Sequence, residues 1–426
     1  MKIPEHIYMV GIGGIGMSAL AQLLVHRGKD VRGSDRELSP VTEMLAGQGI
    51  ELWIGEDGKV PKDAELLIYS DAVPSTNRER VQAKERGIPE MSYFEALGEI
   101  SKDAKTVAVA GTHGKTTTTG MLAKILQYCD KEPTAIVGSI VQDFGSNFLP
   151  GREDLLVVEA CEYRDHLLKL SPHILVITNI ELDHTDYFPN IEALKATFRK
   201  AAERVPHDGV IVTNPYDPVI ASALSSAKAP ILDYTTQTVP HLAQIGEFNR
   251  SNARAAKAAA RALFPHLAEE YTDRALMSFR GAWRRFEYKG VTPLGATVYD
   301  DYAHHPTAIR ATIEAAREKF PNKKITVVFH PHLYSRTRDL FDGFVDTLAL
   351  ADYIIVAPIY GARERNTGEV SSDMLAKAIA KRNDNVLSLH TFDAIREELL
   401  QSASGRDLII TMGAGDIYKV AEQIAD

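Results

Sequence analysis

VAVAGTHGKTTTT, residues 107–119, is the stretch on which the fold turns. Val107, Ala108 and Val109 form an apolar run that stops at Gly111; Gly114-Lys115-Thr116 follows, and a helix-compatible segment runs from Met121 to Tyr128. A strand entering a glycine turn that opens a helix is a phosphate cradle. Backbone N–H groups point into the turn, the helix dipole favours anions, a lysine ammonium reaches the outer phosphates, and a hydroxyl can ligate a divalent cation. The loop departs from the usual G-x-x-x-x-G-K-[ST] pattern, because Val109 stands where the first glycine would be. The strand before it, the helix after it and the run Thr116 to Thr119 favour phosphate binding over a plain glycine turn.

Outward from this point the same beginning recurs. HIYMVGIGGIGMSALAQLLVHRG (His6–Gly28) reads as strand, glycine turn and helix, with helical apolar spacing at Met17, Leu20, Leu23 and Leu24. DVRGSD is a second strand ending at Asp35, and the apolar run from Glu65 to Val73 ends in a polar turn. Gly98–Lys105 is polar and reads as a linker, with a new α/β domain starting at Thr106. Strands are expected at Leu155–Ala160, His173–Ile180 and Gly209–Asn214, then an Ala- and Arg-rich helix at Asn249–Phe264. Ser278–Gly290 breaks the helical pattern and reads as a second linker. Beyond it ATVYDD, KITVVF, YIIVAPIY and DLIITM alternate with helices predicted at Thr307–Phe320 and near Asp342–Ala349. This alternation predicts an α/β fold of parallel sheets covered by helices.

The 426 residues are 45% apolar and 25% charged, the profile of an ordinary globular chain of several domains. With 48 basic against 57 acidic residues the net charge is −9, which argues against wholesale binding to nucleic acid or anionic membranes. Cys129 and Cys161 cannot make a disulfide framework and lack metal-site spacing. The N-terminus has no signal-like apolar core and no window is apolar enough to span a bilayer, so a cytoplasmic protein without membrane insertion is expected.

Four constellations carry chemistry. Gly11, Gly13, Gly14 and Gly16, with Asp35 at the end of the next strand, match a dinucleotide fingerprint. Alone they suggest an NAD-dependent oxidoreductase, but any anionic nucleotide can use such a loop, and glycines also allow close helix–strand packing. Glu159 and Glu162 in VVEACEYRDH, and Asp183, His184 and Asp186 in TNIELDHTDYF, follow two predicted strands, where open α/β sheets place ligands. Beside a phosphate loop they read as ligands for Mg2+ bridging ATP phosphates, rather than as a solvated acidic loop. Arg284-Arg285 lie in the second linker, where an exposed arginine reaches a phosphoryl group only when domains close. DDYAHHP (Asp300–Pro306) and HPHLYSRTR (His330–Arg338) mass histidines and arginines at strand ends, poor core material and good ligands for phosphates and carboxylates.

Taken in order, GTHGKTTTT, EACEYRDH, NIELDHTDYF, FNRSNARAA, WRRFE, DDYAHHP, HPHLYSRTR, YGARE and GAGDI resemble the Mur ligases over essentially the whole chain. The resemblance implies a UDP-sugar-binding Rossmann-like domain (1–103), a central P-loop ATP-binding domain with a mostly parallel sheet (104–278), and a C-terminal Rossmann-like amino-acid-binding domain (279–426). It further implies ATP-dependent joining of L-alanine to UDP-N-acetylmuramate through an acyl phosphate, in a monomer or weak homodimer. The first glycine cluster is then reassigned from NAD to the UDP-sugar, with Gly11, Gly13, Gly14, Gly16, Met17, Ser18, Asp35 and Ser70 as its residues. Gly111, Thr112, His113, Gly114, Lys115, Thr116 and Thr117 would hold the ATP phosphates. Thr116, Glu159 and His184 would surround Mg2+, Asn249 and Asn252 would line the adenine pocket, and Asp301 would hold the ribose. Lys115, Arg284 and His304 would be catalytic, while Tyr302, His332, Arg336 and Arg338 would address the amino acid and the muramoyl carboxyl. Departures from the family are Phe248, where a His is usual, and His330-Pro331-His332, where Gln-Pro-His is frequent. Lys195 and Lys200 lie downstream of His184, in the region where some relatives carry a carbamylated lysine. Within the family the rival is a recycling ligase that attaches a ready-made tripeptide. Outside it, an NAD-dependent oxidoreductase leaves Lys115, Glu159 and His184 without work, and a non-catalytic nucleotide-binding regulator is disfavoured because all the expected catalytic positions are filled.

Overall fold

A computed structural model describes residues 3–55, 58–362 and 364–425. The chain builds three α/β domains around three sheets, as the alternating pattern predicts. The first sheet is wholly parallel, in the spatial order Glu51–Ile54, Asp30–Asp35, His6–Val10, Leu66–Tyr69, Glu90–Ser92. The second has seven strands, ordered Ile231–Asp233, Val210–Thr213, Ile174–Ile177, Lys105–Ala110, Arg152–Glu159, Pro133–Val141, Ser146–Leu149, and only the last pairs antiparallel. The third has six, ordered Glu287–Val291, Thr297–Asp301, Asp407–Met412, Lys324–Phe329, Tyr353–Val356, Val386–Ser388, with an antiparallel first strand. The apolar runs are buried because helices cover parallel strands on both faces. In the third sheet Ile325, Val327 and Phe329 pack on one face, against Ile309, Phe344 and Leu348, while Val328, Ile355 and Ile409 pack on the other, against Ile395 and Val420.

Two predicted linkers are regular structure instead. Gly98–Lys105 belongs to the helix Tyr93–Lys102 and the start of the strand Lys105–Ala110. Ser92 and Glu95 form a capping box at this helix, and Ala96, Leu97, Ile100 and Ser101 bury its inner face, so the charged letters Glu99 and Lys102 lie on its outer side. The end of Ser278–Gly290 likewise enters the edge strand Glu287–Val291. The helix after the phosphate loop starts at Lys115, a full turn and more before the apolar spacing announces it.

The described chain gathers into two compact units. One holds the chain up to Ile180 with Leu194–Pro240 and Asn252–Arg280; the other holds Gly281 onward with Glu181–Ala193 and His241–Ser251. In the first, a buried polar seam joins the helix Ile15–His26 to the hairpin of Pro133–Val141 and Ser146–Leu149. Gln22 donates to Asn147 Oδ1 (3.1 Å), Asn147 donates to Ser18 Oγ (3.1 Å) and to the Ile15 carbonyl, and Gln48 donates to Gln22 (3.2 Å). Among the described residues no helix is long and apolar enough to cross a membrane.

Candidate active site

In the first unit the strand Lys105–Ala110 ends at Gly111, and Gly114, in the left-handed region at φ 81°, precedes the helix Lys115–Tyr128. A Cβ on Gly111 would fall 2.1 Å from Thr178 Oγ1, and one on Gly114 2.2 Å from Asn252 Oδ1, so both positions exclude a side chain. Thr178 and Asn179 fold the loop. Thr178 Oγ1 donates to the His113 carbonyl (2.6 Å), and His113 N donates to Asn179 Oδ1 (2.9 Å). No side chain caps the helix, which leaves its first-turn amides and dipole to an anion.

Lys115 Nζ lies 3.0 Å from both carboxylate oxygens of Glu162 and 3.2 Å from the Thr112 carbonyl, and it also donates to the Gly111 carbonyl. Burial alone would depress this ammonium; Glu162, helped by Glu159, more than offsets it, and the pKa is raised. Thr116 Oγ1 donates to Glu159 Oε1 (2.9 Å), while Gly138 N donates to Glu159 Oε2 (2.7 Å). Hard oxygen donors are thus gathered at the helix start, a donor set that suits Mg2+. Thr112 and Thr117 are buried beside them. His184 belongs to the other unit, at φ 53°, with its amide donating to Asp183 (2.7 Å).

The first glycine loop spends most of its amides on the end of the neighbouring strand Asp30–Asp35. Gly11 N and Ile12 N donate to the Ser34 carbonyl, Gly14 N to Gly11, and Gly13 N to Asp35 Oδ2 (2.8 Å). Asp35 therefore holds the loop shut, and the donors left to an anion are the first helical amides, Ile15, Gly16 and Met17. Ser18 corrects its expected ligand role: it is fully buried, donating to Ile15 O (3.0 Å) and accepting from Asn147. Met17 is buried too. Ser70 sits against Gly11, its Cβ 3.1 Å from where a Cβ on that glycine would lie.

In the second unit Asp183, Arg336, His332 and His304 form one cluster. Arg336 donates to Asp183 through Nε (2.9 Å) and Nη2 (2.8 Å), and through Nη1 to His332 Nδ1 (3.1 Å). Burial would raise the Asp183 carboxyl, but Arg336 and the surrounding histidines hold it well below the usual range. His304 Nδ1 lies 2.8 Å from the Tyr302 carbonyl, which can only accept, so Nε2 carries the lone pair. Burial and Arg336 keep this imidazole neutral, its pKa well below the ordinary value despite Asp183. Arg338 departs from its expected substrate contact: it is half exposed and paired with Asp339 (2.8 Å) and Glu369 (2.7 Å). Residues two apart on a helix face different ways, so Arg336 and Arg338 cannot both point inward.

Arg284 differs most from expectation. It is buried, not an exposed linker arginine, and donates to Asp300 (2.7 Å), the Gly415 carbonyl (2.8 Å) and the Gly413 carbonyl (2.6 Å). Its backbone sits in the left-handed region at φ 60°. The guanidinium ties the incoming chain to the loop after Asp407–Met412. Tyr302 lies near both Arg284 and Arg285, 5.2 and 5.0 Å from ring centre to guanidinium. Asp301 accepts from Ala303 N (2.7 Å) and Phe286 N (2.9 Å); burial, only partly countered by Arg285, pushes its carboxyl up to about 6.

Asn249 and Asn252 share one face of the helix Glu247–Leu263, three residues apart. Asn252 abuts the Gly114 turn, and Asn249 donates to the Ile245 carbonyl (2.8 Å). Phe248 covers Gly246. Lys195 is buried and Lys200 exposed. Sequence reasoning quoted Glu162 and Asp183 but gave neither a partner, and it passed over Thr178, Asn179 and Gly138. The first two stand in acidic motifs, and Thr178 and Asn179 open the quoted TNIELDHTDYF without a role of their own; nothing local marks Gly138.

Known proteins are similar to this chain over nearly its whole length. Residues 6–105 match the model described as the Mur ligase family catalytic domain, 109–243 the Mur ligase middle domain, and 284–415 the Mur ligase glutamate ligase domain. A UDP-N-acetylmuramate–L-alanine ligase of Clostridium botulinum is 39% identical, covering 98% of this chain and 97% of its own. One from Caldicellulosiruptor saccharolyticus is 40% identical, with 98% of both chains covered. Among solved structures, the UDP-N-acetylmuramate-alanine ligase of Thermotoga maritima superposes with a TM-score of 0.80 at 27% identity, over 99% of this chain and 98% of its own. A murein peptide ligase of Psychrobacter arcticus shares the fold at 0.71 and 22%. Because three consecutive sheets, the threonine-rich phosphate loop and full-length identity near 40% all coincide, the chain belongs to the Mur ligase family.

Proposed function

We propose that the protein uses ATP to join the amino group of L-alanine to the muramoyl carboxyl of UDP-N-acetylmuramate, releasing ADP and phosphate. One observation carries the reading: Lys115 and Thr116 each meet a glutamate at a phosphate loop, in a chain that matches alanine-adding ligases end to end. A carboxylate is a poor acyl donor because oxide would have to leave. Its oxygen therefore attacks the γ-phosphorus and ADP departs; the alanine nitrogen, having lost its ammonium proton, then attacks the acyl carbon, and phosphate leaves taking up the second proton from nitrogen. Lys115 exchanges Glu162 for phosphate oxygens and neutralises charge on the transferred group. Thr116 and Glu159, with His184, would hold Mg2+, which supplies further positive charge beside the phosphates.

His304 is neutral with Nε2 unprotonated, and takes the ammonium proton of the incoming amino acid. Tyr302, His332 and Arg336 orient that amino acid, Arg336 through the donors that Asp183 leaves over. The UDP-sugar diphosphate meets the amides of Ile15, Gly16 and Met17, while Asn249, Asn252 and Asp301 serve the ATP nucleoside. The domains run 1–103, 104–278 and 279–426. The assignment to the cytoplasm rests on two free thiols and on substrates of this kind; a monomer or weak homodimer is the expected state, checked by sedimentation. Phosphate release and product mass, measured with UDP-N-acetylmuramate, ATP and either L-alanine or a tripeptide, test the function. Turnover with the tripeptide alone would move the enzyme to the recycling branch.

A further inference from the structure

We propose that His166 is a positioning residue for the nucleotide-sugar site, clasping both flanks of the Gly11–Gly16 loop from the kinked segment Tyr163–Lys169; this rests on reading that loop as the UDP-sugar site. On one flank, His166 Nε2 lies 2.8 Å from Asp71 Oδ2. Asp71 follows Ser70, which packs against Gly11. On the other flank, the His166 ring stacks on Phe94, with centroids 3.7 Å apart and planes at 14°. Phe94 meets Tyr93 edge-on at 4.7 Å, and the Tyr93 ring reaches 2.9 Å from where a Cβ on Gly16 would lie. A single imidazole thus fixes the spacing between the turn after Leu66–Tyr69 and the aromatic pair that opens the helix Tyr93–Lys102.

Two further features set this clasp apart from ordinary packing. His166 Nδ1 is buried without a hydrogen-bond partner, an arrangement that weakens folding and calls for an account. The two residues before it, Arg164 (φ 51°) and Asp165 (φ 60°), are left-handed non-glycines, a strained pair held by the Asp165–Thr197 hydrogen bond. This kinked segment also begins directly after Glu162, the partner of Lys115, so one short stretch borders both phosphate-binding loops. If the clasp opens, the turn and the ring are free to drift. The first-turn amides of Ile15–His26 then remain, but the walls that hold a diphosphate over them do not.

The test uses the full chain with His166→Leu, His166→Gln and Asp71→Ala. UDP-N-acetylmuramate affinity is measured by calorimetry, and KM values for all three substrates by phosphate release. For His166→Leu and Asp71→Ala the expected result is a nucleotide-sugar Kd and KM raised about fivefold or more, with kcat and the ATP KM within about twofold of wild type. His166→Gln, which can still donate to Asp71, recovers part of the loss. Nucleotide-sugar affinity within about twofold of wild type in Asp71→Ala overturns the proposal, as does an equal rise in all three KM values. Asp71 is partly exposed, so that variant decides the matter even if His166→Leu does not fold. Wild-type protein that fails to bind UDP-N-acetylmuramate sinks the reading of the loop; wild-type binding with unaltered variants sinks the clasp alone.

Discussion

Lys115 Nζ stands 3.0 Å from each carboxylate oxygen of Glu162, so the lysine that opens the phosphate-loop helix is already neutralised by a carboxylate beyond the end of the adjacent strand. The side chains are 15% and 2% exposed, so solvent screens the pair weakly. An anion arriving at the loop competes with Glu162 for the same ammonium.

Glu162→Gln keeps the shape of the pair and removes its negative charge. The ligand-free variant is expected to lose about 3 kcal/mol, as for a buried pair stripped of one partner. ATP should restore much of this, because phosphate supplies the missing counter-charge, so the ligand-induced rise in melting temperature exceeds that of wild type. Thermal melts with and without ATP check this; equal rises would mean that Lys115 does not exchange partners.

Lys115→Ala should lower ligation by about a thousandfold or more, through lost stabilisation of the transferred phosphoryl group. UDP-N-acetylmuramate binding should stay within about threefold, since its loop opens a different helix. Calorimetry beside a phosphate-release assay separates the two effects, and wild-type turnover would reject the ATP site.

Arg284→Lys tests an anchor against a phosphoryl contact. Lysine cannot reach Asp300, Gly413 and Gly415 together, so stability should fall by about 2–3 kcal/mol. At a temperature where the variant stays folded, kcat should hold within about threefold. A tenfold loss of kcat with an unchanged melting temperature would instead return this guanidinium to the chemistry.

Asp301 makes a pH prediction. Its folded pKa, about 6, lies above the unfolded value near 3.8, so between these limits the folded chain keeps a proton that the unfolded chain releases. The stability this group contributes is complete below the lower limit and is lost as pH rises through about 6, a change of about 3 kcal/mol. Asp301→Asn lacks this titration, so relative to wild type it should gain stability between pH 4.5 and pH 7.5. Paired denaturation curves at about those two values check the sign; a constant difference would show that the carboxyl is ionised throughout.

Residues 107–119 were legible because strand, turn and helix are contiguous there, and local sequence states all three. Lys115 with Glu162 was not legible. The residues are 47 positions apart and meet only because Lys105–Ala110 lies beside Arg152–Glu159 in the sheet, a neighbour relation that no local pattern encodes. Gly98–Lys105 misled for a related reason, since the outer face of an amphipathic helix has the composition of a linker. Arg284 and Arg338 misled because charge in a sequence suggests solvent or ligand. One is consumed by a carboxylate and two carbonyls, the other by two surface carboxylates.

The seam of Gln22, Asn147 and Ser18 has a consequence for anyone dividing or recombining this chain. A fragment cut near residue 104 would leave the amides of Asn147 and Gln22 without their partners on opposite pieces, and would bare the apolar faces beneath them. A chimera that takes its first sheet from a relative should therefore import the hairpin from Pro133 to Leu149 as well, although that hairpin lies beyond the junction in the sequence. The unit of exchange in this enzyme is spatial, and its border crosses the chain three times, near residue 104 and on either side of the hairpin.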